Sequence, residues 1–302
     1  MPVERVDWQK VMSPNPSEIQ VTWLGHACFL VQMDGMAILT DPVWSDRCTP
    51  VDGFGPVRYR PPPCKLTELP PIDIVLISHN HVDHLDLFTV RCLGNIPLWF
   101  APLGHREWFA AEGIDRLIEM NWWDSYPLGP SIDIVCLPAQ HWSKRGLFDD
   151  MTSLWSGWAV LGCRKLFFAG DTGYGPAFKE IGKKFGPFDL ALIPIGAYEP
   201  RWMMSCQHVE PSESVSIHLD IESRQSVGMH WGTWILTNED VYEPPLKLKQ
   251  EVARRNIESS SFIALNHGQT FATSPVASKP LFSSSPNPTH PPTDNVTLVD
   301  VR

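Results

Sequence analysis

The sequence predicts a layered α/β protein in which one or two β-sheets are sandwiched between helices. Short apolar runs alternate with loops and helical patterns from residue 21 to about residue 271. The first runs lie close together, as paired strands do, and later ones alternate with helical segments, which is the order of an α/β layer fold. Hydrophobic residues make up 43% of the 302 residues and charged residues 19%, the composition of a packed globular chain with a substantial core.

Strands are predicted at 21–23, 28–33, 36–40, 72–78, 98–101, 132–137, 158–161, 165–169, 190–195, 225–229 and 262–264, each a short apolar run bounded by polar or turn-forming residues. Helices are predicted at 84–93, 104–112, 176–185, 211–219 and 245–255. The last two begin with Pro at an early position, where the missing N–H has no helical acceptor to lose. No internal repeat is visible. These elements define one domain over residues 21–272, preceded by a lead segment, 1–20. Beyond it lies a tail, 273–302, whose Ser, Pro, Asn and Thr content predicts disorder.

With 24 Lys and Arg against 34 Asp and Glu, the formal charge is −10. Sequence-independent binding of nucleic acid needs cations to neutralise phosphates, so a nucleic-acid partner and a nuclease activity are disfavoured. Local basic patches remain, as where Arg58 lies close to Arg60 and Lys144 to Arg145. Seven cysteines, odd in number and without a Cys-x-x-Cys pair, read as reduced thiols of an intracellular protein. The amino terminus lacks the apolar core of a signal peptide. No stretch approaches the ~20 apolar residues of a membrane span, so any membrane contact is expected to be peripheral.

The chemistry centres on Ile77-Ser-His-Asn-His-Val-Asp-His-Leu-Asp86, directly after an apolar strand. His79, His81, Asp83 and His84 offer imidazole nitrogen and carboxylate oxygen, a donor set suited to Zn²⁺. Three further donors also follow predicted strands: His141, Asp171 and His230. Strand ends gather side chains into one cleft. Seven donors exceed the needs of one tetrahedral zinc and suit two. His79, His81 and His141 would hold one ion, Asp83, His84 and His230 the other, with Asp171 bridging. Two zincs ~3.5–4 Å apart lower the pKa of a shared water toward ~7, so hydrolysis is the expected reaction.

Asp41, in Leu-Thr-Asp-Pro, is read as an acceptor for a ligand histidine's ring N–H, with an Asx turn before Pro42 as the simpler alternative. Asp86 and His26 are balanced between such a role and a structural one. His208, ahead of a helix, is a candidate donor to a phosphate or a leaving oxygen, whereas His105, His218, His267 and His290 read as structural or solvated. Among 13 tryptophans, Trp122, Trp123, Trp142, Trp155 and Trp202 are candidates for an acyl-chain groove or a lipid interface, against the plain alternative of core packing.

The His-x-His-x-Asp-His signature with its later His, Asp and His resembles the metallo-β-lactamase superfamily, which implies an αββα sandwich of two mixed sheets flanked by helices. Longer words are more specific. Val21-Thr-Trp-Leu-Gly-His-Ala27, Leu39-Thr-Asp-Pro42, Leu69-Pro-Pro-Ile-Asp73, Phe167-Phe-Ala-Gly-Asp-Thr-Gly-Tyr174, Ile193-Pro-Ile-Gly-Ala-Tyr-Glu-Pro-Arg-Trp202, Gln207-His-Val209 and Met229-His-Trp-Gly-Thr233 resemble the N-acyl-phosphatidylethanolamine-hydrolysing phospholipase D family over roughly residues 18–270. The resemblance implies cleavage to phosphatidic acid and an N-acylethanolamine, with a zinc-bridging hydroxide attacking phosphorus. It also implies two zincs on the seven donors named above, a need for Asp41 and His208 in activity, peripheral membrane association and a homodimer. Vertebrate members carry a longer segment before Trp-Leu-Gly-His and a different carboxyl end. A lactonase or thioesterase on the same scaffold, or a non-catalytic lipid-binding protein, is the competing expectation.

Overall fold

The computed structural model describes residues 3–49 and 53–273. A short helix α1 (Trp8–Met12) precedes an antiparallel meander of β1 (Gln20–Gly25), β2 (Cys28–Met33) and β3 (Met36–Thr40). Asp34 and Gly35, both with positive φ, make the tight turn between β2 and β3. Three parallel strands extend the sheet: β4 (Ile74–Leu76), β5 (Leu98–Pro102) and β6 (Leu117–Met120). Helices α2 (Leu87–Leu93) and α3 (Arg106–Ala111) lie in the connections between them.

The second sheet follows the same plan. Strands β7 (Ser125–Pro127), β8 (Asp133–Leu137), β9 (Gly157–Leu161) and β10 (Lys165–Phe168) pair antiparallel. After α4 (Ala177–Phe185) come the parallel strands β11 (Leu190–Pro194), β12 (Ser226–Met229) and β13 (Phe262–Ala264). Helices α5 (Arg201–Met204) and α6 (Pro211–Asp220) lie between β11 and β12, and α7 (Glu243–Arg254) lies between β12 and β13. Finally β14 (Thr270–Ala272) returns to pair with β1, giving each sheet seven strands in the orders β14-β1-β2-β3-β4-β5-β6 and β13-β12-β11-β10-β9-β8-β7. The fold is therefore the expected pair of mixed sheets with flanking helices. Its duplicated plan leaves no trace as a sequence repeat, because each half needs only the same polarity pattern and not the same residues.

Alternation along the strands builds the layers. Ile38, Ile74, Leu76 and Phe100 join the core shared with β8, β9 and β10 of the second sheet. Their neighbours Leu39, Val75, Ile77, Trp99 and Ala101 face a separate cluster with Val11, Val90 and Phe109 of α1, α2 and α3. Burial on both faces makes β4 read as a continuous apolar run. On the second sheet α6 packs on β11 and α7 on β13. Polar side chains are thereby displaced to the strand ends.

The sequence-predicted strands and helices are all present with small shifts at their ends. Strands β6, β7 and β14 lie at sheet edges, where one side is open and no apolar run is required, and they escape a reading based on such runs. Helices α1 and α5 are too short to show a helical period. Residues 3–19, set apart in the sequence as a lead, pack against the domain: Val6 and Val11 are buried, and the Glu4 N–H donates to the His267 carbonyl at 2.8 Å. Thr273 is also buried and accepts the Ile19 N–H at 3.0 Å, while the remainder of the tail, 274–302, lies outside the described residues. Among the described residues no helix is long and apolar enough to cross a membrane.

Candidate metal centre

Five strands of the two sheets deliver the donors to one edge. Asp41 follows β3, His79–His84 follow β4, His141 follows β8, Asp171 follows β10 and His230 follows β12. His208 arrives on the loop between α5 and α6. The approach is close enough to demand glycine before Asp171: Gly170 has φ +60°, and a Cβ there would lie 2.7 Å from both the Ser156 oxygen and Ser78 Cβ. His26, Asp41 and His230 have φ of 55°, 33° and 60°, a left-handed backbone that non-glycine residues rarely adopt and that tends to collect at functional sites.

Two groups of donors result. In the first, His79 Nε2 lies 2.8 Å from His81 Nδ1, which lies 3.2 Å from His141 Nε2. In the second, Asp83 Oδ2 lies 3.5 Å from His84 Nε2 and 3.6 Å from His230 Nε2. Asp171 Oδ2 stands between the groups, 3.1 Å from His84 Nε2, 3.0 Å from His230 Nε2 and 3.8 Å from His141 Nε2. All seven sequence-predicted donors are thus brought together. His26 joins the second group, its Nε2 3.0 Å from Asp83 Oδ2.

Hydrogen bonds on the outer side of the rings decide which nitrogen faces inward. The Gln207 carbonyl can only accept, so His141 carries its proton on Nδ1, which donates at 2.9 Å and leaves the Nε2 lone pair inward. Asp41 does the same for His84, accepting from Nδ1 at 2.6 Å. It also accepts the Ser78 N–H at 2.7 Å and the Ser78 hydroxyl at 2.5 Å, so this buried carboxylate has three donors. The geometry assigns Asp41 to holding a histidine and removes the simple turn alternative. Asp86, by contrast, caps α2 and binds Trp44 and Ser45, a structural duty.

The electrostatics call for a cation. Burial pushes Asp83 and Asp171 upward, yet the pull of His84 and His230 prevails and holds both carboxyls well below the usual range. Conversely, burial disfavours charge on His84 and His230, but the surrounding carboxylates lift His84 well above its ordinary value and His230 to about 9. In the first group burial and mutual repulsion hold His79 and His141 well below theirs, so both remain neutral with free lone pairs. Asp171 Oδ1, His81 Nε2 and both ring nitrogens of His230 are buried without a hydrogen-bond partner. Five imidazoles and two carboxylates gathered with stranded buried polar atoms form a donor set that fits divalent metal.

Around this centre, burial followed by repulsion from His230 lowers His26 to about 3, so it meets Asp83 as a neutral N–H donor. His208 Nδ1 lies 3.9 Å from Asp171 Oδ2 and has no hydrogen-bond partner; burial lowers its value to about 4. His105, His218 and His267 are buried in structural contacts, and His290 falls outside the described residues. Trp142 stands edge-on to His81 with ring centroids 4.4 Å apart. Trp122 and Trp155 are tied into the packing by the Trp122 Nε1 bond to the Trp155 carbonyl, and Trp123 stacks on Phe185, whereas Trp202 is 84% exposed. Sequence reasoning missed Ser78 and the Gln207 carbonyl. Exposed apolar side chains lie near three of the site histidines in sequence: Leu147, Phe148 and Met151 after His141, Trp202 and Met203 of α5 before His208, and Ile235 and Leu236 after His230.

Comparison with known proteins gives consistent likenesses. A family profile described as Beta-lactamase superfamily domain matches residues 37–231. The chain is 45% identical over 273 residues to N-acyl-phosphatidylethanolamine-hydrolyzing phospholipase D 1 of Caenorhabditis elegans, spanning 85% of this chain and 77% of the nematode protein. It is 39% identical over 237 residues to the mitochondrial N-acyl-phosphatidylethanolamine-hydrolyzing phospholipase D of Saccharomyces cerevisiae, spanning 76% of this chain and 50% of the yeast protein. Among solved structures, a metallo hydrolase from the archaeon Ignicoccus hospitalis superposes with a TM-score of 0.62 at 22% identity over 85% of this chain and 99% of that one. An isothiocyanate hydrolase from Delia radicum gut bacteria superposes with a TM-score of 0.67 at 16% identity over 84% and 100%. At such identities these two show the fold alone.

Proposed function

Because the chain belongs to the N-acyl-phosphatidylethanolamine-hydrolysing phospholipase D family of the β-lactamase superfamily, we propose that it is a di-zinc phosphodiesterase. It would hydrolyse N-acyl-phosphatidylethanolamine to phosphatidic acid and an N-acylethanolamine. One observation carries the chemistry: seven donors from the ends of four strands converge at one sheet edge, and outer hydrogen bonds turn Nε2 of His84 and His141 inward. The substrate rests on the names of the nematode and yeast relatives.

His79, His81 and His141 would hold one metal and Asp83, His84 and His230 the other, with Asp171 reaching both. A bound metal pair supplies positive charge for the phosphate oxygens and a water made acidic enough to act near neutral pH. His26 keeps Asp83 in place, and Asp41 keeps His84 turned inward. His208 is neutral at pH 7, so it offers one N–H to a phosphate oxygen or a water rather than a stored proton. Replacing His208 with alanine is expected to lower turnover about 100-fold while both metals stay bound. Metal analysis beside steady-state kinetics checks this, and unchanged turnover removes His208 from the reaction.

The exposed apolar side chains near the site histidines in sequence suit a lipid surface. Phe148, 96% exposed, lies on the loop that follows His141, and the exposed Trp202 lies on α5, just ahead of the His208 loop. This supports peripheral docking with the site facing the membrane, in an intracellular setting consistent with the name of the mitochondrial yeast relative. The deciding experiment measures metal per chain, then N-acylethanolamine release from mixed micelles beside hydrolysis of soluble lactones and thioesters. Release of N-acylethanolamine with no comparable soluble-ester activity is expected; the reverse would assign a different hydrolase. Phe148→Ser with Trp202→Ser should lower the rate on vesicles about tenfold, the loss of one or two inserted aromatic side chains, and spare a short-chain monomeric substrate.

A further inference from the structure

We propose that Ser78 is a positioning residue that lets Asp41 set the ring tautomer of His79 as well as that of His84, so that one carboxylate orients a ligand in each group of the metal centre. The inference rests on the metal reading of the site. Ser78 Oγ lies 2.5 Å from Asp41 Oδ2 and 2.8 Å from His79 Nδ1. A hydroxyl has a single proton, and a carboxylate can only accept, so that proton goes to Asp41. The Ser78 oxygen therefore turns a lone pair toward His79. A neutral imidazole facing it must carry its proton on Nδ1, which leaves the Nε2 lone pair directed at His81. The other tautomer would oppose two lone pairs at Ser78 and aim an N–H at the cation.

The arrangement has little freedom to rearrange. Ser78 is fully buried, its N–H is held by Asp41 Oδ1 at 2.7 Å, and its carbonyl accepts the Ser156 N–H at 2.9 Å. The backbone of Gly170 approaches so closely that even a methyl group there would collide with Ser78 Cβ. His84 reaches the same Asp41 oxygen directly, at 2.6 Å. Loss of the hydroxyl therefore releases only the first group, whereas loss of the Asp41 charge releases both. No such asymmetry follows if Ser78 merely fills space.

The test titrates zinc into the chelated full-length protein against a chromophoric competitor. Wild type should bind two ions. Ser78→Ala should bind one as tightly as wild type and the other about 10- to 100-fold more weakly, the usual cost of losing an orienting partner. Asp41→Asn should weaken both. Two unchanged affinities in Ser78→Ala, or two equal losses, would overturn the proposal. Should Ser78→Ala not fold, ¹⁵N NMR of the histidine rings in the wild type decides: His79 protonated on Nδ1 supports it and His79 protonated on Nε2 refutes it. A wild type that takes up no metal overturns the metal reading itself, and this inference with it.

Discussion

Asp171→Asn is expected to lower turnover at least about 1,000-fold and to leave fewer than two metal ions per chain. The carboxylate meets histidines of both donor groups directly, at 3.0 and 3.1 Å on one side and 3.8 Å on the other. Asparagine has nearly the same shape, so Gly170 and the strand behind it need not move. The charge is what disappears. An amide oxygen is a weak metal ligand, and a site designed around buried anions loses one of them. In the metal-free state the loss has the same direction: His84 and His230 lose an anion that favours their protonated forms, so the unloaded variant should be no more stable than the unloaded wild type. Inductively coupled plasma analysis and kinetics on mixed micelles read the two effects separately. Near-normal turnover with two metals bound would exclude Asp171 from the centre.

The parts of this site that were legible in the sequence are those where one local rule suffices. His79, His81, Asp83 and His84 are near neighbours after a strand buried on both faces, and His141, Asp171 and His230 each follow such a strand. Placement at strand ends is a local property, and convergence follows once the strands share two facing sheets. Asp41 was harder to read, because its decisive partners, Ser78 and His84, are 37 and 43 residues away. Ser78 was invisible for a different reason: a serine before a histidine is ordinary until both neighbours of its hydroxyl are known. The tryptophans make the same point. Trp123 and Trp202 are alike in the sequence, yet one stacks on Phe185 and the other faces solvent, and only the tertiary packing separates them. The lead segment was set apart because it lacks a strong pattern, although Val6 and Val11 suffice to seat it on the domain.

A second large effect concerns stability in acid. Three histidines outside the two donor groups are buried neutral. Burial lowers His105 and His218 to about 4, and burial with the nearby Arg60 and Arg58 lowers His267 to about 3. Their anchors are the Pro102 carbonyl, the Ser226 hydroxyl and the Thr233 hydroxyl, at 2.9, 2.7 and 3.0 Å. In the unfolded chain each returns to about 6.5. Between those values the unfolded state binds more protons, so the stability present above about pH 6.5 is lost as pH falls toward the folded-state values. Each such residue contributes a slope of about 1.4 kcal/mol per pH unit, or on the order of 4 kcal/mol per unit for three. Against a typical total of about 5–15 kcal/mol, the protein should approach unfolding near pH 5. His26 and His208 act in the same direction, whereas His230, raised to about 9, is protonated in both states through much of this window and adds little. Urea midpoints of the chelated protein from pH 7.5 to 4.5 measure the slope without the proton dependence of metal binding. His218→Gln, which keeps a hydrogen-bonding group but cannot titrate, should flatten it by about 1.4 kcal/mol per unit. A midpoint insensitive to pH in the wild type, or a slope unchanged in the variant, would mean that these buried rings do not store acid sensitivity.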